Sequence, residues 1–213
     1  MEEIDILKFL IGIALLSYAA YKDLKYREAE NWIWLAIAIP GIFFIFLNLD
    51  KILLSAISIA ISIIIAFFLY AFGMGGADAK AIMAISILNP LPPALSIFHS
   101  PQFVFPLTVL INSLLLIIPL PIAFFIYNVM KKNIEFPYCF FGYKIKAENA
   151  KNKFVWPMEK DGKKSIFPIK DFDFSSYKGE IWITPKLPFL IFIAIGYTIS
   201  YLIGDVLFLF FSK

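Results

Sequence analysis

The chain has 213 residues, 61% of them hydrophobic and 16% charged, with a formal net charge of +3 and a mean hydropathy of +0.81. A soluble domain carries about 45–50% apolar and about 25% charged residues, so this composition excludes an ordinary soluble protein and points to a polytopic membrane protein. A single cysteine, Cys139, excludes an internal disulfide, and a single histidine, His99, excludes a histidine-based triad or a Cys/His metal cluster.

The first run, MEEIDILKFLIGIALLSYAAY, lacks a basic leader and a small-residue cleavage site and reads as a first transmembrane helix. Measured against the roughly 20 residues needed to cross a bilayer, the apolar windows predict helices near 4–21, 31–48, 52–72, 104–130 and 187–211. A shorter segment near 78–90 lies between the glycines of "GMGG" and the "NPLPP" of Asn89 to Pro93; it is brief for a span but tolerable if other helices bury it. The expected fold is therefore a polytopic α-helical membrane protein with six transmembrane helices. Pro119 and Pro121 are expected to kink the fifth.

Residues 131–186 form the one polar insert, with twelve lysines against seven acids. Its Asp161–Gly162 pair, between "FVW" and "SIF", is the strongest short hairpin signal a sequence carries, and "YCFFGYKI" and "EIWIT" favour strands. A small antiparallel β-rich domain is expected, with Cys139 as a small buried residue in it. The net excess of lysine suits anionic headgroups and equally an ordinary solvated surface. The division is a membrane domain over 1–130, a β-rich cytoplasmic domain over 131–186, and the last helix in 187–213.

Lysine and arginine set the orientation. With the loop after the first helix cytoplasmic, sixteen basic residues fall on that side against three (Lys8, Lys51 and Lys213) on the other. The positive-inside rule then puts the N-terminus outside and the loops around Asp23 and Asp78 at the cytoplasmic face.

An acid at membrane depth costs about 2.5–3.5 kcal/mol on insertion scales and needs a reason. Asp78 follows Gly73, Gly75 and Gly76, which weaken a helix but admit close backbone approach; alone, it reads equally well as an N-cap of the short helix. Asp23 closes the first helix ahead of Lys25, Arg27, Glu28, Glu30 and Asn31, and alone it reads as a loop residue. The topology brings the two acids to one face. Two carboxylates sharing a site cannot both ionise cheaply, so one serves as acid while the other activates water. Asp205, inside the last apolar run, is expected at the outer end, snorkelling or paired with Lys8, with no chemistry assigned to it. His99 falls in the outer loop "IFHSPQF" and is expected to be solvated.

"GMGGADAK" resembles the glycine–aspartate signature of the intramembrane aspartyl proteases, the group of bacterial prepilin peptidases, archaeal preflagellin peptidases and presenilins. Their usual form is G-x-G-D, and this chain carries the looser Gly75-Gly76-Ala77-Asp78. Asp78-Ala79-Lys80 is similar to the Asp-x-Lys of prepilin peptidases, and the Asp23-Leu24-Lys25-Tyr26-Arg27-Glu28 segment resembles their first motif. "TPKLPFL", with Pro185 and Pro188, resembles the segment that opens the last helix of archaeal preflagellin peptidases.

The resemblance implies an aspartic endopeptidase with Asp23 and Asp78 catalytic, removing the short basic leader of a preflagellin or type IV prepilin-like precursor. It implies no cofactor and no metal, and with one cysteine no N-methyltransferase activity. Gly73, Gly75, Gly76, Pro185 and Pro188 would lie along the substrate. Glu28 and Glu30 would receive the leader's basic residues or simply favour the start of helix two. The expected partners are the precursor and membrane lipid, with no nucleic acid; the oligomeric state stays open. The alternative is a small proton- or ion-coupled transporter with Asp78 as a relay, which predicts acids near the bilayer midplane.

Overall fold

A computed structural model describes residues 2–98, 103–160, 162–167, 169, 172–175, 177 and 179–211. His99 and Asp161, singled out above, lie outside the described residues. In chain order the elements are α1 (Glu2–Tyr26), α2 (Asn31–Phe46), α3 (Ile52–Ala71), α4 (Gly76–Leu88), α5 (Phe105–Leu115), α6 (Pro119–Met130), β1 (Tyr143–Lys146), α7 (Ala147–Ala150), β2 (Val155–Pro157), β3 (Glu159–Lys160), β4 (Lys163–Lys164), β5 (Glu180–Pro185), α8 (Phe189–Leu202) and α9 (Val206–Phe211). They group into two compact units, Met1–Leu116 with Pro188–Lys213, and Ile117–Leu187.

In the first unit α4 is the hub. Seven of its thirteen residues are buried, and α2, α3, α5, α8 and α1 all pack against it. Surrounded in this way, α4 has its backbone bonds satisfied internally and need not span a bilayer. A second contact layer joins α8 to α1 and α5, where Phe9, Phe105, Tyr197 and Tyr201 pack ring against ring at 5.0–6.1 Å. Their hydroxyls are used: Asn89 donates to Tyr197 Oη (2.8 Å), which donates to the Lys8 carbonyl (3.2 Å), and Tyr201 donates to the Asp5 carbonyl (2.7 Å). Buried tyrosines without such partners would cost a few kcal/mol each.

Six spans were expected, and the lengths support fewer. Among the described residues three stretches are long and apolar enough to cross a membrane, Glu3–Tyr26, Leu49–Ala71 and Phe105–Met130. The apolar α2 and α8 have 16 and 14 residues, roughly 24 and 21 Å at 1.5 Å per residue, short of a ~30 Å hydrocarbon core. The expected kink at Pro119 is a break: the chain turns at 116–118 and restarts as α6 with Pro119 at its first position, because proline cannot donate to the carbonyl four residues back and its ring collides with it.

The expected helix over 187–211 also stops, at Ile203–Gly204, with Gly204 at φ +105°. Asp205 is buried there and accepts the Phe208 N–H (3.0 Å), capping α9. Lys8, its expected partner, lies instead over the Phe44 ring at 5.6 Å.

In the second unit, α6 accompanies a three-stranded antiparallel sheet of order β1-β5-β2 and the separate hairpin β3-β4. Tyr143 faces Ile183 and Val155 faces Pro185 across the ladders. The period of two along β5 sends Ile181 and Ile183 into one cluster with Val155, Ala147 and Ala150, and Trp182 into another with Cys139, Met158 and Phe125. Cys139 is fully buried there, as expected. Asn128 of α6 donates to the carbonyls of Phe124, Cys139 and Gly142 (2.7–3.0 Å), tying the helix to the segment that leads into β1.

The hairpin turns at Gly162 (φ +74°) as the dipeptide signal predicts, with Glu159 paired to Lys164. Its strands are two residues long, shorter than the flanking runs suggested: "FVW" belongs mostly to β2, paired with β5, and "SIF" is in no strand.

Candidate active site

Asp23 sits four residues from the start of the α1–α2 loop and is half-buried. The helix ends because Arg27 takes a left-handed conformation (φ 59°) while its N–H still bonds the Asp23 carbonyl (2.9 Å). The Arg27 guanidinium is near enough for its charge to act on the Asp23 carboxylate. The Leu190 N–H, in the first turn of α8, donates to Asp23 Oδ2 at 3.4 Å. The first four amides of a helix have no internal acceptor and carry the positive end of its dipole, so the start of α8 is a ready seat for this anion.

Asp78 arrives from a different direction. α3 closes with the Met74 N–H bonded to the Leu69 carbonyl and the Gly73 N–H to the Tyr70 carbonyl, at 3.0 Å each. This double closure demands a left-handed residue, and Gly73 supplies it at φ +98°. The chain then turns through Met74 into Gly75, the N-cap of α4, so Asp78 is the third helical residue and the capping position expected for it is taken by Gly75. A Cβ on Gly75 would lie 2.7 Å from Asp78 Oδ2, whereas one on Gly76 would meet only the Tyr70 ring at 3.6 Å, and one on Gly73 nothing within 4 Å. The three glycines thus have three causes: dihedral at 73, room for the carboxylate at 75, and none of comparable force at 76.

α1 packs against α4, and the two half-buried carboxylates are within electrostatic reach of each other, the Asp23 charge acting directly on Asp78. Lys80 donates to Asn31 Oδ1 (2.8 Å), clipping α4 to the start of α2. Glu30 is paired with Lys22 (2.7 Å), while Glu28 is exposed; both line a cavity of about 120 Å³ with Tyr26. Pro188 is the N-cap of α8, two residues ahead of the Leu190 amide. Pro185 is the last residue of β5, in the second unit, opposite Val155.

Sequence reasoning missed the Leu190 amide and the Lys80–Asn31 bond. The first had a signal: a proline just before a helix marks where unpaired N–H groups begin. The second had none, because residues 49 apart meet only through helix packing.

The sequence model of the type IV leader peptidase family matches residues 10–122. A preflagellin peptidase of Methanococcus voltae is 34% identical over 223 residues, covering 92% of this chain and 95% of the relative. Preflagellin peptidases of Methanococcus maripaludis (strain C6) and Methanocaldococcus jannaschii are 32% and 30% identical, each over 93% of this chain and covering 96% and 94% of the relative.

Proposed function

The chain belongs to the type IV leader peptidase family and is a membrane protease, and from that premise we propose that Asp23 and Asp78 are its catalytic pair. The observation that carries this reading is the convergence of two half-buried carboxylates from α1 and α4, each within reach of the other's charge. Two carboxylates suffice for acid–base hydrolysis.

The carboxylates share one proton. The ionised member takes a proton from water as it attacks the scissile carbonyl carbon, and the protonated member gives its proton to the carbonyl oxygen, forming a gem-diol. Collapse of the gem-diol breaks the C–N bond as a proton passes to the leaving amine, and the pair returns to its starting charge. The two titrate as a unit, so the acid and base roles belong to the pair.

The substrate is a type IV pilin-like precursor, by the names of the similar proteins a preflagellin, cut between its basic leader and its hydrophobic helix. The open space at Gly73 leaves room for an extended backbone ahead of α4. Exposed Glu28 meets a basic leader, with Glu30 shared between the leader and Lys22. The membrane orientation has the N-terminus outside and the aspartates and residues 131–186 cytoplasmic, as the lysine distribution favours.

Processing of a tagged preflagellin by membranes containing Asp23→Asn or Asp78→Asn tests the pair. Each variant should insert normally and lose cleavage by about 10²-fold or more; near-wild-type cleavage by either removes that residue from the chemistry.

A further inference from the structure

Asp5 precedes Asp23 on α1 by eighteen residues, roughly 27 Å of helix. At that remote end of the first unit is a second and larger cavity, about 260 Å³, between the first turns of α1, the end of α2, the start of α3 and the 90–94 loop. Its apolar wall includes Ile4, Phe44 and Leu91, and its polar wall is Asp5, Lys8, Asn48, Lys51 and Ser55.

The polar wall is not satisfied from within. Asp5 is engaged, taking the Ala94 N–H on Oδ2 at 3.0 Å, and Asn48 donates to the Phe44 carbonyl at 3.3 Å. Lys8 and Lys51 form no ion pair among the described residues, yet Lys8 is close enough to feel the charges of both Asp5 and Lys51. Asp5, Lys8 and Lys51 together leave one positive charge uncompensated.

Ser55 supplies an independent observation. It is 5% exposed and lines the cavity. Further along the same helix, Ser58 donates to the Pro90 carbonyl and Ser62 to the Ser58 carbonyl, and of these three buried serines Ser55 is the one that lines the cavity. A serine hydroxyl and two ammonium groups, with one carboxylate between them and a net charge of +1, around one space match an acceptor-only anion.

We propose that this cavity binds a phosphate ester, with Lys8, Lys51 and Ser55 as donors and the apolar wall against its carbon chain. Two sources share that chemistry, an anionic lipid headgroup and free phosphate. The volume holds a phosphate with its glycerol link and leaves acyl chains outside. A zwitterionic headgroup fits worse, since its quaternary ammonium meets the two lysines.

The full chain in neutral detergent tests this by native mass spectrometry and thermal unfolding with phosphatidylglycerol, phosphatidylcholine or inorganic phosphate. Wild type should bind phosphatidylglycerol about tenfold more tightly than phosphatidylcholine, the scale of one charge-assisted hydrogen bond. Lys51→Gln, at an exposed position, should fold normally and lose most of that preference, and the Lys8→Gln, Lys51→Gln double variant the rest. Ser55→Ala should weaken phosphatidylglycerol binding without restoring phosphatidylcholine. A response to phosphatidylglycerol alone supports the site and identifies a lipid source; one that inorganic phosphate reproduces supports it with a soluble source. Equal binding of the two lipids by wild type, or a full preference retained by the double variant, overturns it.

Discussion

Gly75 and Gly76 are neighbours in one motif, and the space around them separates their roles. An added methyl at Gly75 would stand 2.7 Å from Asp78 Oδ2, closer than real Cβ contacts come, while at Gly76 it would make an ordinary contact with Tyr70. Gly75→Ala should therefore turn the carboxylate out of place and lower processing by roughly tenfold to a hundredfold, with Gly76→Ala costing far less. Steady-state cleavage of one precursor by both variants checks the contrast, and equal losses would show that Gly75 does not position Asp78. Gly73→Ala acts differently: space is open, but φ is +98°, so the cost is backbone strain of about 1 kcal/mol, read in thermal stability more than in turnover.

At the level of elements, the second unit has a charge-dependent fastening. Glu135 binds Lys164, sits 3.7 Å from Lys144, and accepts the indole N–H of fully buried Trp182 at 3.1 Å. Its hydrogen bond with the Lys164 ammonium holds the Glu135 carboxyl below the usual glutamate range, and raises Lys164 in turn. A carboxyl depressed by folding stabilises above its unfolded value, about 4.3, and that contribution fades as pH falls through its folded value. The lysine's share persists below its unfolded value of about 10.4 and is lost above it. Glu135→Gln should thus lower stability at pH 7 by under about 1 kcal/mol, since the pair is partly exposed, with the deficit shrinking as pH falls below the unfolded value of about 4.3. Glu135→Ala also strands the Trp182 N–H and should cost about 1–3 kcal/mol. Thermal melts across pH measure both, and a pH-independent deficit for Glu135→Gln would rule out the ionic contribution.

Across the whole molecule, the proposed orientation has a direct check. With buried Cys139 replaced by serine, Lys51→Cys should react with a membrane-impermeant maleimide from outside the cell, and Lys25→Cys only after permeabilisation. The reverse pattern would invert the topology. Both positions are exposed, so labelling reports sidedness rather than burial.

Both aspartates, the polar insert and its hairpin turn were legible because each is written locally: a charge or a glycine pair against an apolar or strand-forming background. Helix ends at Pro119 and Gly204 were read too weakly. A run of apolar residues does not reveal whether a break is a kink or a stop, and that depends on whether neighbouring groups, such as Asp205 at the start of α9, satisfy the freed backbone.

Composition and patterning alone determined that this chain is apolar enough for a membrane, helical and equipped with Asp23 and Asp78 beside breaks in its apolar runs, since transfer energies act residue by residue. Only the tertiary structure decided that α4 is an enclosed hub rather than a span, that the start of α8 supports Asp23, and that Lys8, Lys51 and Ser55 surround one space. Those outcomes rest on contacts between residues far apart in the chain, 167 positions between Asp23 and Leu190 and 49 between Asn31 and Lys80, for which no local rule of periodicity or propensity carries a signal.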